Sequence, residues 1–218
     1  MGKMDELKEL LEKDNYTKWE CVSFEKVKSM LGDLRVLHDK DDVSEKQKGN
    51  IADGINRIEG LSDAPKKYTS VLIAALPRGS GDARKSGNIN VKKALKEAGF
   101  ASMLYTSLPI KRLAVLSGLA EYGRNNITSV RGIGSWVQYT VFLTDAPFDD
   151  SKWREQPVMA AECEECDICA KVCPKGAISN ERFLIYREKC KGCNTECYFS
   201  CPLNIRKKEG RDEGTMEQ

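Results

Sequence analysis

Imidazole is nearly missing from this chain: His38 is the only histidine in 218 residues. Metal sites that need two or three imidazoles are thereby excluded, and a Ser–His–Asp triad has one candidate, beside the Asp-Lys-Asp-Asp stretch 39–42. His38 reads as surface or cap chemistry. Net charge is nearly missing too. Thirty-five basic side chains against 33 acidic ones leave a formal +2, which argues against a nucleic-acid partner and against an acidic tail. No apolar run approaches the roughly 20 residues that cross a bilayer, so no membrane partner is expected. The stretch 1–16 lacks the apolar centre of a signal peptide, and the cytoplasm is the expected location. Neither the P-loop nor the dinucleotide fingerprint occurs.

What the chain has instead is thiol. Eight of its nine cysteines fall between positions 163 and 201. Cys163, Cys166, Cys169 and Cys173 follow C-x2-C-x2-C-x3-C and are closed by Pro174. Cys190, Cys193, Cys197 and Cys201 follow C-x2-C-x3-C-x3-C and are closed by Pro202. Three thiolates two residues apart can wrap one corner of a cubane, while the fourth, a helical turn onward, points away; proline then redirects the chain. Two [4Fe–4S] clusters are the expected cofactors. In two-cluster ferredoxins the fourth cysteine of each run serves the other cluster. The expected partition is Cys163, Cys166, Cys169 and Cys201 for one, and Cys190, Cys193, Cys197 and Cys173 for the other. Two other readings of the thiols stay open. Two four-thiolate zinc sites would use the same C-x2-C pairs, although zinc ribbons usually separate them by a longer loop. Disulfides would need an oxidising compartment.

The length suits one domain with a sizeable core plus a smaller appended one. Residues 1–64 read as a helical segment. Leu7, Leu10 and Leu11 share one side of a short helix over 4–13, and Phe24, Val27, Met30, Leu31, Leu34 and Leu37 form a second stripe. A third helix starts at Ser44, where Ser-Glu-Lys-Gln supplies a cap, and carries Ile51, Ile55 and Ile58 inward. Cys21 stands apart and reads as a small buried hydrophobe.

Residues 65–156 read as an α/β body. Val71–Leu76 is a continuous apolar run of strand length. The loop Arg78–Asn88 has three glycines and three basic residues; it could cradle a phosphate, but reads better as a flexible connection. Asn88 or Asn90 caps a helix that Gly99 closes. Ala101–Tyr105 is a short strand, Ser107 caps a helix running to Gly123, and Trp136–Thr144 is a strand rich in aromatic and β-branched residues. The stretch 145–157 reads as a linker. Residues 157–205 form the cysteine-rich domain, with a small strand at Phe183–Tyr186 after a turn at Asn180, and 206–218 is expected to be a disordered tail.

Several blocks together resemble one family. They are VLIAALP, SLPIKRLAVLSGLAEYGRNNIT, GSWVQYTVFLTDAP, CEECDICAKVCPKGAI and CNTECYFSCPLN, and their order and spacing are similar to those of the epoxyqueuosine reductases and, more distantly, the corrinoid-dependent reductive dehalogenases. The resemblance covers about residues 68–205. It implies an α+β protein: a shortened nitroreductase-like α/β body with an N-terminal helical segment and a C-terminal bacterial ferredoxin-like domain for two [4Fe–4S] clusters. It also implies cobalamin in the body, fed with electrons by the clusters for a reductive cleavage. Tyr105 and Thr106 would then be the catalytic candidates, Thr106 standing where the family has a proton-donating Asp. Arg112, Gly118, Gly123, Arg124, Asn125, Ser135 and Trp136 would bind the cofactor. The segment between the first strand and the Ser-x-Pro-Ile block is shorter here than in that family.

The expected function is an iron–sulfur oxidoreductase that takes electrons from a ferredoxin- or flavodoxin-type partner protein and acts on a small molecule or through a corrinoid. The alternative is a non-enzymatic ferredoxin-type carrier, or an electron-transfer subunit of an anaerobic complex.

Overall fold

A computed structural model describes residues 2–13, 17–40, 43–78, 83–179, 185–186 and 188–204, without the side chains of 83–86. Its centre is a four-stranded antiparallel sheet in the order β1-β2-β6-β3. The strands are β1 (Lys18–Ser23), β2 (Ser70–Pro77), β3 (Ser102–Leu104) and β6 (Val137–Thr144). β2 lies between β1 and β6, with Val71 opposite Val22 on one side and opposite Leu143 on the other.

The apolar run of β2 is continuous because helices cover both faces of the sheet. Val71, Ile73 and Ala75 pack with α2 (Phe24–His38), α3 (Glu45–Glu59) and α5 (Ile110–Leu116) through Val27, Met30, Leu34, Ile58, Leu113 and Val115. Leu72 and Ala74 point the other way. They meet Cys21 and Phe142 of the sheet, Leu7 and Leu11 of α1 (Lys3–Glu12), and Val91, Ala94 and Leu95 of α4 (Ala83–Glu97). Unbroken apolar strands are commonest in parallel sheets; here two helical layers impose the same demand on an antiparallel one.

The starts of α2 and α3 follow from their caps. Ser23 Oγ accepts from Lys26 N at 3.2 Å. Gln47 Oε1 accepts from Ser44 N at 3.1 Å, one half of a capping box. His38 lies at the surface, its Nδ1 3.0 Å from Asp39 Oδ1.

Four expectations are corrected. Residues 1–64 are not all helical: β1 joins the central sheet and brings Cys21 into the core. α4 begins at Ala83, ahead of Asn88, because Gly87 is a packing position inside the helix; a Cβ there would come within 3.1 Å of Gln138 Nε2. α5 ends at Leu116, and Gly118, at φ +84°, turns the chain away. Pro109 stands at its N-cap position, and no side chain caps it. The stretch 145–157 is bound to the body rather than free. Asp149 N donates to Cys21 O at 2.9 Å, Ser23 N donates to Asp150 Oδ1 at 2.9 Å, and Arg154 N donates to Leu116 O at 2.7 Å. The glycine loop at 79–82, the turn at Asn180, most of the strand expected at Phe183–Tyr186 and the tail 206–218 lie outside the described residues. Of that strand, Ile185 bridges Ile178 in antiparallel fashion.

Burial raises the Cys21 thiol from 9.0 to about 12, a Ser70 hydrogen bond opposing and the Asp150 and Glu20 carboxylates adding to the rise. The folded state thus holds this proton more tightly than the unfolded chain does. Its contribution to stability is intact below about pH 9 and is lost as pH rises toward 12. Urea unfolding of Cys21→Ala followed from pH 8 to 11 should therefore show a shallower alkaline decline than the parent; equal slopes would refute the assignment.

Candidate metal centre

The cysteine-rich segment is held by a hairpin of the body. β4 (Glu121–Tyr122) pairs with β5 (Thr128–Ser129), and β4 also takes in the chain that leads to the cysteines. Tyr122 N donates to Val158 O at 3.0 Å and Ala160 N donates to Tyr122 O at 2.8 Å. The hairpin tip is Gly123-Arg124-Asn125-Asn126. Asn126 N closes on Gly123 O at 2.8 Å, with Asn126 itself at φ 58°. Gly123 sits where a Cβ would come within 2.8 Å of Asn125 Oδ1.

That tip presents two side chains to the thiol loops. Arg124 Nε donates to Cys166 O at 3.0 Å, and its Nη2 donates to Cys163 O at 2.8 Å and Glu164 O at 3.3 Å. The Asn125 side chain is buried; its Nδ2 donates to Cys197 O at 3.1 Å, while its Oδ1 accepts from Ile127 N at 3.1 Å. One turn thus grips both cysteine runs. Two further contacts come from the bend that leads into β6. Ser135 N donates to Leu203 O at 3.0 Å, and the Trp136 ring lies 5.4 Å from that of Tyr198, with the Arg78 guanidinium 5.3 Å from the indole.

Between hairpin and loops lies a cavity of about 330 Å³, its open mouth included, lined by Arg124, Asn125, Glu162, Cys163, Cys166, Cys169, Cys201, Pro202 and Leu203. Four cysteines from both ends of the segment therefore share one space. Burial and the neighbouring Cys201, Cys163 and Cys166 raise Cys169 to about 11. Cys197 is raised to about 11 by burial and by Cys169, Cys173, Cys190 and Cys193. Cys173 moves the other way: burial opposes the shift, but backbone N–H groups led by Ala177, 3.3 Å from its Sγ, hold the thiol below its usual value. Cys163 and Cys169 are each 7 % exposed, whereas Cys190 is exposed.

The remaining residues expected at a site have other partners. Arg112 forms a two-pronged ion pair with Asp33 of α2. Tyr105 donates its hydroxyl to Arg57 O at 3.2 Å, and Thr106 is exposed. Gly118 lies against Lys152, whose carbonyl oxygen would be 3.0 Å from a Cβ there. The residues expected around a corrinoid thus divide in their partners between an α2–α5 ion pair, an α3 contact and the grip on the thiol loops. Tyr198, Leu203, Glu162 and Arg78 were not expected at the site. Tyr198 and Leu203 fall in the CNTECYFSCPLN block, but nothing local marks Glu162 or Arg78.

An α+β body that clamps a double-run cysteine segment defines an iron–sulfur protein of the electron-transfer and oxidoreductase class. No protein-family model matches the chain. Over 98 residues it is 30% identical to epoxyqueuosine reductase of Francisella cf. novicida (strain Fx1), 45% of this chain and 26% of that protein. It is 34% identical over 76 residues to pyruvate synthase subunit PorD of Methanothermobacter marburgensis, 35% of this chain and 73% of that subunit. The third relative, electron transport protein HydN of Escherichia coli (strain K12), is 43% identical over 47 residues, 20% of this chain and 26% of that protein. Among solved structures, epoxyqueuosine reductase from Streptococcus thermophilus superposes with a TM-score of 0.66 at 15% identity, over 94% of this chain and 66% of that one.

The chain is similar to the epoxyqueuosine reductases and has a body of that fold, and over 76 residues it belongs with the PorD subunit. It spans about a quarter of the curated epoxyqueuosine reductase and 66% of the solved one. No described helix is long and apolar enough to cross a membrane.

Proposed function

We propose that the chain carries single electrons through two [4Fe–4S] clusters to a reductive reaction. The first cluster would be held by Cys163, Cys166, Cys169 and Cys201, and the second by Cys173, Cys190, Cys193 and Cys197. The observation that carries this reading is the shared cavity, in which Cys201 joins three thiols more than thirty positions earlier. The donor set fits: thiolates are the usual ligands of such clusters, and backbone N–H groups aimed at a ligating sulfur stabilise its charge. Clusters supply one-electron transfer. The chain's own residues hold the thiolates, exclude water around Cys163 and Cys169, and fix the loops to the body through Arg124 and Asn125. A redox partner protein would supply the electrons at the exposed Cys190 side.

Anaerobic metal analysis tests this. About eight iron and eight sulfide per chain are expected for two four-iron clusters. Cys166→Ser should remove one cluster and leave the spectrum of the second; Cys173→Ser should perturb the second. Stoichiometric zinc without sulfide would overturn the proposal. Corrinoid-linked reduction is the finer reading, supported by the likeness to epoxyqueuosine reductases. Added cobalamin should then change the visible spectrum of the loaded protein, and no change at saturation would leave a carrier or an electron-transfer subunit.

A further inference from the structure

Arg124 is the only cation among the residues lining the first cavity, and Glu162 is the only anion there besides the thiols. Its guanidinium holds the carbonyls of Cys163, Glu164 and Cys166 at 2.8–3.3 Å, so it is pinned beside two expected ligands of the same cluster. The second set has a different setting. Cys190 is exposed between Lys189 and Lys191, whose charges also stand in solvent, and the body's contact with that run is a neutral amide, Asn125 Nδ2 on Cys197 O. A fixed positive charge in a poorly hydrated pocket favours whichever redox state carries more negative charge. Here it favours the reduced state of the first cluster, and solvent screens its effect on the exposed second site.

Resting on the two-cluster reading above, we propose that Arg124 is a potential-setting residue, drawing an electron from the solvent-facing second cluster onto the first cluster beside the body. In that transfer the second cluster is oxidised by one electron and the first reduced by one; no proton moves and no bond breaks. Glu162, which is exposed but lines the cavity, opposes the bias, and Glu164 and Glu165, exposed on the same loop and outside the lining, oppose it through solvent. Arg124 therefore offsets the carboxylates that the first run brings with it. A residue that only anchored the loop would have no preference between oxidation states.

The test is an anaerobic redox titration of the whole loaded chain, with both clusters followed by visible and electron paramagnetic resonance spectra. Arg124→Gln should shift the electron distribution between the clusters about tenfold away from the first, a fall of about 59 mV for a one-electron couple. Arg124→Lys should recover most of that, and Glu162→Gln should move the first cluster in the opposite direction. Lys93→Gln, which removes an exposed charge on α4, should leave the first potential where it was. If Arg124→Gln fails to retain iron, Glu162→Gln carries the test. The proposal is overturned if the charge-removing variant that retains both clusters leaves the potential difference unchanged, or if both clusters shift equally. Parent protein without two clusters would instead refute the reading beneath it.

Discussion

Arg124→Ala frees the first cysteine loop from the body, loses about 2–4 kcal/mol of stability in that segment and leaves protein poor in iron. Three hydrogen bonds from one ionised side chain are lost together, and bonds to charged groups are worth about 1.5–3 kcal/mol each when buried. The sum falls short of three full bonds because two of them are only part-buried and the third, to Glu164 O at 3.3 Å, is exposed, so the freed carbonyls can turn to water. Lysine keeps the charge but replaces a planar fork with one rotatable ammonium, so Arg124→Lys should recover only part of the loss. Iron per chain after anaerobic reconstitution, with the urea midpoint of the cysteine-rich segment, measures both effects. Full iron and a midpoint shift equivalent to less than about 0.5 kcal/mol, the range of an ordinary surface change, would show that the grip is incidental.

Phe142→Ala should cost about 3–5 kcal/mol, the usual range for emptying an aromatic site in a core. Phe142 is 1 % exposed on the interior strand β6 and packs on the α1–α4 face with Leu72, Leu95 and Leu7. The space it leaves is bounded by β-sheet backbone on one side and by two helices on the other, so little collapse can refill it. Domains are stable by only about 5–15 kcal/mol, and the variant should be marginal at 37 °C. Circular dichroism during urea unfolding measures the change. Phe148→Ala is the control: at 49 % exposed, its loss should move stability by no more than about 0.5 kcal/mol. Equal effects at the two positions would contradict the packing.

The sequence made legible whatever was local. The box at Ser44 and Gln47, the stripe of α2 and the apolar run of β2 each announce themselves within one or two turns of chain. β1 did not, because Lys18–Ser23 is an edge strand whose burial rises toward one end instead of alternating. The end of α5 was hidden for a related reason. Leu119, Ala120 and Tyr122 continue the apolar pattern and are buried in the same cluster as Leu113, although the chain has left the helix at Ser117. Gly87 looked like part of a flexible loop because nothing nearby in sequence shows that β6 presses on it. At the site, cysteine spacing pointed to the chemistry, and the resemblance singled out Arg124, Asn125, Ser135 and Trp136. Their partners could not be read, since they lie about forty to seventy residues downstream.

β1 closes one side of the sheet, and an unpaired strand there would offer its backbone to any second chain. The stretch that follows β6 prevents this: Asp149 and Asp150 occupy the outward groups of Cys21 and Ser23. The passage joining body to metal segment is thus also a guard against self-association. Anything that pulls the cysteine-rich segment off the hairpin strains that guard, so loss of iron and a tendency to aggregate would arise from a single event.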